Sequence, residues 1–318
     1  MAALSSIKNN VYLRIVAINL IIFFLSAPLL ILYGPFKNIR SSVVGAIMTS
    51  RHPHYITWLL SDQEIQAIAK EAGGAGNVRQ DIFSFAKSND AKLHLTNIKS
   101  NRFHGYLLEV PDPSRVKVAT ARDLQEKGDT VSMIALNNNA IAAINAGGFY
   151  DPEGTGVGRL PYGVIVQNGK FIIGGDINEQ VPFVGFTKAG SLVAGNYTAK
   201  EMRNMNVAEG VTFGPPLIVN GKKMITSGDG GWGVAPRTAI GQRKDGTVLL
   251  LVIDGRQPGY SIGATLLDVQ NILYEQGAYI AANLDGGSSA TLFYNGNVVN
   301  KPCDMLGERM IPTAFVIK

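Results

Sequence analysis

The chain reads Thr247-Val-Leu-Leu-Leu-Val-Ile-Asp-Gly-Arg256, then Thr265-Leu-Leu-Asp-Val-Gln-Asn-Ile-Leu-Tyr-Glu-Gln-Gly277, then Tyr279-Ile-Ala-Ala-Asn-Leu-Asp-Gly-Gly-Ser-Ser289, and its architecture is written in this run. Thr247 to Ile253 is a continuous apolar strand. Thr265 to Gln276 carries apolar residues at helical spacing through Leu266, Val269, Ile272 and Leu273, with Gly277 as the helix stop. Tyr279 to Leu284 is a second apolar strand. If the two strands lie parallel in one sheet, a right-handed crossover brings both carboxyl ends to the same edge, where open sheets bind ligands. Asp254 and Asp285 then converge.

Working outward, Ala140 to Ile144 is a third apolar strand and ends in Asn145-Ala-Gly-Gly-Phe149, so three strand ends carry polar residues followed by glycine. Asn168-Gly169, Asn220-Gly221, Asp245-Gly246 and Asn295-Gly296 each separate short apolar runs, and such pairs readily take the positive backbone angles of two-residue hairpins. The expected class is α+β: a mixed, largely antiparallel sheet with hairpins and packed helices, preceded by one N-terminal transmembrane helix.

That helix is read from Ile15 to Tyr33, a run of 19 uncharged residues that would span about 28 Å as a helix. Lys8 and Arg14 precede it and Lys37 and Arg40 follow it, so flanking charge does not set its orientation. The run exceeds a usual signal-peptide core, and Pro28 directly follows the small pair Ser26-Ala27, which favours an uncleaved signal anchor. Three parts follow: residues 1–34 as cytoplasmic tail and anchor, 35–90 as a stalk, and 91–318 as the main domain. In the stalk, Ser61-Asp-Gln-Glu64 reads as a capping box ahead of a helix ending near Gly73-Gly74.

Composition narrows the function. With 46% hydrophobic residues, 36 glycines and 17% charged residues the chain is globular and loop-rich, and its net charge of +5 is scattered, which argues against nucleic acid binding. Cys303 is the single cysteine, so no intrachain disulfide forms and the thiol reads as structural. All four histidines, at 52, 54, 94 and 104, precede the glycine-rich strand ends, and none forms a paired metal-binding motif on a helix. No histidine follows His104 and there is no G-x-S-x-G elbow, so Ser288 and Ser289 do not read as triad nucleophiles.

Carboxylates and guanidinium groups remain. Arg237 in Pro236-Arg-Thr-Ala-Ile-Gly241 and Arg256 in Asp254-Gly-Arg256 offer planar forks to an anion, with buried Arg–Asp pairing as the bland alternative. The N–H groups of Gly286 and Gly287 with the Ser288 and Ser289 hydroxyls could hold an anion, or could form a plain glycine turn. Two carboxylates beside phosphate-binding arginines suit glycosyl chemistry, and a phosphate leaving group departs as a stable anion, so electrostatic stabilisation can replace a strong general acid.

These segments resemble the phosphodiester glycosidase family, uncovering-enzyme-like in its common domain, over roughly residues 95 to 318. The resemblance rests on Ile144-Asn-Ala-Gly-Gly-Phe149, Phe213-Gly-Pro-Pro216, Pro236-Arg-Thr-Ala-Ile-Gly241, Asp254-Gly-Arg256 and Asn283-Leu-Asp-Gly-Gly-Ser-Ser289. This chain has Ser288 where many relatives carry a third glycine. The resemblance implies hydrolysis of a sugar-1-phosphodiester outside the cytoplasm by a single-pass protein of the cell membrane, in cell-envelope or exopolysaccharide metabolism. The acidic pair would be Asp285 and Asp254. Substrate and phosphate would be held by Arg237, Thr238, Arg256, Asn145, Gly147, Gly148, Asn283, Gly286, Gly287 and Ser288. The sequence requires no cofactor and leaves a divalent cation open. The rival reading is a non-enzymatic module that binds an anionic polysaccharide or teichoic-acid-like polymer.

Overall fold

The computed structural model describes residues 2–48, 54–71, 80–85, 90, 92–151 and 157–318. His52 and the Gly73-Gly74 helix stop lie outside the described residues. The main domain is built from three large antiparallel sheets and a two-stranded one, Phe149–Tyr150 with Leu160–Pro161. The largest has seven strands, ordered His94–Lys99, His104–Val110, Val248–Ile253, Arg237–Gln242, Ile280–Leu284, Pro216–Val219 and Lys222–Lys223. Two five-stranded sheets complete the domain, one running through Ala142–Asn145 and Thr313–Ile317, the other through Val181–Thr187 and Val207–Val211. The expected α+β class with antiparallel pairing is the observed one.

The reason Val248–Ile253 is apolar at every position lies in its neighbours. Val248, Leu250 and Val252 face a core shared by all three large sheets, together with Ile144, Val184 and Phe315. Leu249, Leu251 and Ile253 face the helix Leu266–Glu275 through Leu266, Val269 and Leu273. A strand covered on both faces loses the polar alternation that a half-exposed strand keeps. Each of the three helix residues is fully buried, and burying such a side chain contributes about 1.5–3 kcal/mol.

Val248–Ile253 and Ile280–Leu284 do point the same way, because both pair antiparallel with Arg237–Gln242, which lies between them. Their carboxyl ends therefore share an edge, but with one strand interposed their backbones stand roughly 10 Å apart. The linking helix starts at a reciprocal cap in which Thr265 and Asp268 satisfy each other's backbone N–H groups, and Gly277 has φ +81°, the left-handed conformation of a helix stop.

Three of the four expected hairpins are two-residue turns: Asn168-Gly169, Asn220-Gly221 and Asn295-Gly296 all have positive φ at both positions and join residues that pair directly. Asp245-Gly246 differs. Gln242 pairs with Val248, Arg243 N–H donates to Thr247 O, and only Gly246 is left-handed, so the connection is longer than two residues.

At the N-terminus a helix spans Ala2–Tyr33, and its Tyr12–Tyr33 portion is long and apolar enough to cross a membrane, with 6% of its most apolar window buried by the protein. A core helix would be mostly buried. Leu32 packs with Val44, Ile56, Ile65 and Ile68 of the three short helices that follow and with Leu60 in the turn between the last two, and the Ser61–Glu64 capping box forms as expected. Residues 80–85 run against the main domain: Gln80 accepts from Ala194 N–H at 2.9 Å, Phe85 N–H donates to Ala189 O, and Tyr279 donates to Asp81 at 2.6 Å.

Candidate active site

The site begins at Asn145, the last residue of Ala142–Asn145 and fully buried. Its Nδ2 donates to the main-chain oxygen of Asp285, and its Oδ1 accepts from the Thr238 hydroxyl at 2.7 Å and from Thr291 N–H at 3.1 Å. The Asp285 N–H donates to Ala146 O at 3.1 Å. One amide thus joins the ends of strands from two sheets and brings Asn145, Thr238 and Asp285 together, while the expected partner of Asp285, Asp254, ends a strand one position further across the sheet.

The glycines here make room for backbone. A Cβ on Gly286 would stand 2.8 Å from Pro236 O, and Gly287 N–H donates to that same oxygen from a left-handed conformation. Gly147 and Gly148 are hemmed by Val211, Thr313 and the Phe213 ring, and that ring lies edge-on to Trp232. Asn283 Nδ2 donates to Gly214 O at 3.0 Å, just before a cis Gly214–Pro215 bond, which ties the Phe213-Gly-Pro-Pro216 segment to the same centre.

Asp285 keeps some surface as a residue, but its Oδ2 is sealed from solvent and has no protein hydrogen-bond partner. Burial pushes its carboxyl up to about 6, against the opposing pull of the Ser289 hydroxyl, Arg309, the Gly286 N–H and Arg256. Asn283 Oδ1, Thr291 Oγ1 and Arg309 Nε are also buried without a partner, as is Ser289 Oγ, which is near enough to Asp285 to lower its carboxyl without completing a hydrogen bond, so five of the six such side-chain atoms among the described residues belong to this neighbourhood. Buried polar atoms are normally paired, and a cluster of unpaired ones marks a site shaped for a polar ligand.

Asp254 plays a different part. Its Oδ1 accepts from Asn300 Nδ2 at 2.9 Å and from Lys301 N–H at 3.0 Å, and its Oδ2 accepts from the Tyr260 hydroxyl at 3.0 Å. Burial raises its carboxyl, opposed by those three hydrogen bonds and by His104. The Tyr260 ring stacks on His104 at 4.7 Å with Lys301 Nζ 5.0 Å from its centre, and its hydroxyl is held well above the ordinary phenol value by burial and by Asp254.

The two expected arginines also separate. Arg237 is 2% exposed, donating through Nε to Ala264 O and through Nη2 to Trp232 O at 2.7 Å and Gly233 O at 2.5 Å. Burial, then the nearby Arg256, lowers its guanidinium to about 10, so it stays charged at neutral pH. Arg256 is exposed and holds φ +57°, an unfavourable conformation for a residue with a side chain. Ser288 Oγ accepts from Arg309 Nη1 at 3.2 Å, while Arg309 Nη2 pairs with Asp151 at 2.7 Å and its guanidinium covers the Phe149 ring.

Sequence reading did not single out Arg309, Tyr260, His104 or Asn300, whereas the Ser289 hydroxyl was named beside that of Ser288. Tyr260 is six residues beyond Asp254 in the same loop, a detectable signal; Arg309 sits in a loop with no motif. Burial raises the Cys303 thiol beside Arg256, which fits a structural rather than nucleophilic cysteine. Among the described residues no group of three His, Cys, Asp or Glu side chains is placed to hold a metal ion.

Fold and site together define an α+β protein of antiparallel sheets whose converging strand ends hold a buried carboxylate beside guanidinium groups. A protein-family model described as phosphodiester glycosidase matches residues 138–318, more than half the chain, and the chain belongs to that family. It is 27% identical over 237 residues to bovine N-acetylglucosamine-1-phosphodiester alpha-N-acetylglucosaminidase, covering 65% of this chain and 42% of that protein. The mouse protein of the same name is 26% identical over 268 residues, covering 74% and 50%. The chain thus spans half or less of the length of these curated relatives. In structure it is similar to the zebrafish N-acetylglucosamine-1-phosphodiester alpha-N-acetylglucosaminidase catalytic domain, with TM-score 0.63 and 23% identity over 76% of this chain and 89% of that one. A putative exported protein from Burkholderia pseudomallei superposes with TM-score 0.50 and 18% identity, covering 68% and 74%. These superpositions speak to the fold.

Proposed function

We propose that the protein hydrolyses a sugar-1-phosphodiester from the outer face of a membrane, held there by the Tyr12–Tyr33 helix. The observation that carries this reading is the sealed, unpartnered Oδ2 of Asp285 among the unpaired atoms of Ser289, Thr291, Asn283 and Arg309. Ionised Asp285 stabilises the positive charge that develops at the anomeric carbon as the bond to the phosphate oxygen breaks. Arg256 and Arg309, both close enough to lower the Asp285 carboxyl, take the charge developing on the departing phosphate. Water supplies the hydroxyl that ends on the anomeric carbon and its proton leaves to solvent, so the products are the free sugar and a phosphate monoester.

Two roles follow from geometry and depart from the sequence expectation. Arg237, its Nε and Nη2 taken up by three carbonyls, is a strut under the site and not a phosphate clamp. Asp254 receives three hydrogen bonds and positions Tyr260 and the 300–301 loop, so Asp285 carries the chemistry. Asn145, Thr238, Asn283, Gly147, Gly148, Gly286, Gly287 and Ser288 shape the pocket and present backbone to substrate. Placement in cell-envelope or exopolysaccharide metabolism fits a membrane-held enzyme that acts on such a diester.

The test is release of free sugar from α-N-acetylglucosamine-1-phosphodiesters by the full chain, beside Asp285→Asn. Release that the substitution abolishes supports the proposal. Binding of an anionic glycopolymer that survives Asp285→Asn, with no sugar released from a broad diester panel, would replace it with the binding-module reading.

A further inference from the structure

The short helices after the apolar span bear directly on the site. Helix Lys37–Met48 begins four residues beyond Tyr33, and its Ser42 hydroxyl donates to the Asp229 carboxylate. A Cβ on Gly45 would lie 2.0 Å from Gly231 O, so this helix meets the 229–233 loop backbone to backbone. That loop supplies Trp232 O and Gly233 O to Arg237, sets Trp232 against Phe213, and receives the Leu267 N–H at Asp229 O. Counting a four-residue extended link and about two helical turns, the docking point is within about 25 Å of the end of the span. The loops around Arg256 therefore open close to the membrane surface.

Those loops carry exposed apolar side chains. Val234 follows the Arg237 partner Gly233, and Ile262 supplies the carbonyl that accepts from Arg256 N–H. Cys303 lies against Arg256, and two residues on Met305 and Leu306 are 101% and 91% exposed. Such residues cost nothing against an apolar phase but are unfavourable in water, at about 25 cal/mol per Å² of apolar surface. Lys301 lies beside Arg256 in the chain fold, its N–H donating to Asp254, whereas the Arg102 guanidinium is taken up by Asp268 at 2.7 Å. The edge of the site thus offers cationic groups beside an apolar lip.

Resting on the glycosidase reading, we propose that the aglycone is a long-chain lipid alcohol seated in the bilayer, so that the substrate is a lipid-linked sugar phosphodiester. The apolar lip Val234, Ile262, Met305 and Leu306 receives the first methylenes of the chain as they leave the membrane, and the cations hold the phosphate. Hydrolysis breaks the bond between the anomeric carbon and the phosphate oxygen. The sugar leaves in water and the lipid phosphate stays in the bilayer.

The experiment uses the full chain in phosphatidylcholine vesicles with two probes, the hexadecyl and the methyl ester of α-N-acetylglucosamine-1-phosphate. The expected result is a kcat/KM at least 30-fold higher for the hexadecyl ester. The double substitution Met305→Ser with Leu306→Ser, at exposed positions outside the site's hydrogen bonds, is expected to cut the hexadecyl rate at least tenfold and leave the methyl rate within about twofold. Equal rates on the two esters, or equal loss on both in the double variant, overturn the lipid assignment while leaving the glycosidase reading intact. Cleavage of neither ester, with no sugar released from a broad diester panel, removes both.

Discussion

The side-chain amide of Asn145 donates to the main-chain oxygen of Asp285, while the Asp285 N–H returns to Ala146, so two strand ends from different sheets are joined at the main chain of the residue that bears the carboxylate. Asn145→Ala leaves that oxygen, the Thr238 hydroxyl and the Thr291 N–H without their partner. Each unpaired buried group costs about 1–3 kcal/mol, less when neighbours relax. The expected loss is about 2–4 kcal/mol, read as a lower urea midpoint at unchanged m, with activity falling more steeply than stability. A shift under about 0.5 kcal/mol would show that Asn145 is not the tie between the sheets.

The raised Asp285 carboxyl gives a pH signature. If the ionised form supports the anomeric carbon, kcat/KM rises with pH through about 6 and levels above it. A fall through the same region would make Asp285 the proton donor instead. Stability runs the other way. The folded value lies above the ordinary 3.8, so the native state holds the proton over about pH 4–6, and stability is lost as pH rises through that window. Asp285→Asn is therefore expected to abolish activity, at least 10³-fold, and to gain up to about 3 kcal/mol at pH 7. The gain should vanish below about pH 4, and urea titrations of both proteins at pH 4 and 7 measure it.

How far the sequence spoke depends on range. The strand Val248–Ile253, the helix Leu266–Glu275 and three Asn-Gly turns were legible because each is set by local periodicity or by a backbone angle that few residues accept. Asn145 and Asp285 were legible as strand-end residues before glycines. The intervening strand Arg237–Gln242 was not expected between its neighbours, because strand order depends on long-range pairing that apolar runs alone leave open. Arg237 is ambiguous in sequence for a similar reason: a guanidinium that clamps phosphate and one that caps carbonyls look alike until the Trp232–Gly233 turn and Ala264 are folded over it. Arg309 reaches Ser288 and Asp151 across the fold, and nothing in its own loop announces it.

Separating the arginines gives a test of those roles. Arg237→Met leaves three carbonyls without their donor and is expected to cost about 2–4 kcal/mol, with KM for the surviving folded enzyme little changed. Arg309→Ala removes a guanidinium beside Asp285 together with the pair to Asp151, whose two side chains are each 12% exposed. Its expected signature is a kcat reduced at least 10²-fold with a smaller stability loss. If Arg237→Met instead raised KM tenfold at unchanged stability, the strut assignment would be wrong and the original phosphate clamp restored.

Arg256 combines an exposed guanidinium with φ +57°, and these properties respond to substitution in opposite directions. A left-handed conformation costs a residue bearing a Cβ about 1–2 kcal/mol, part of which glycine recovers after losing more chain entropy on folding. Arg256→Gly is expected to raise stability by about 0.5–1 kcal/mol while lowering kcat/KM at least 10²-fold, since the charge facing the departing phosphate is gone. Arg256→Lys keeps the charge and the strain but loses the planar fork, so its rate should fall between the two and its thermal midpoint should match the parent. Thermal melts and diester kinetics on the three proteins decide the matter. A glycine variant that is both less stable and fully active would place Arg256 in the framework and leave Arg309 as the group that meets the phosphate.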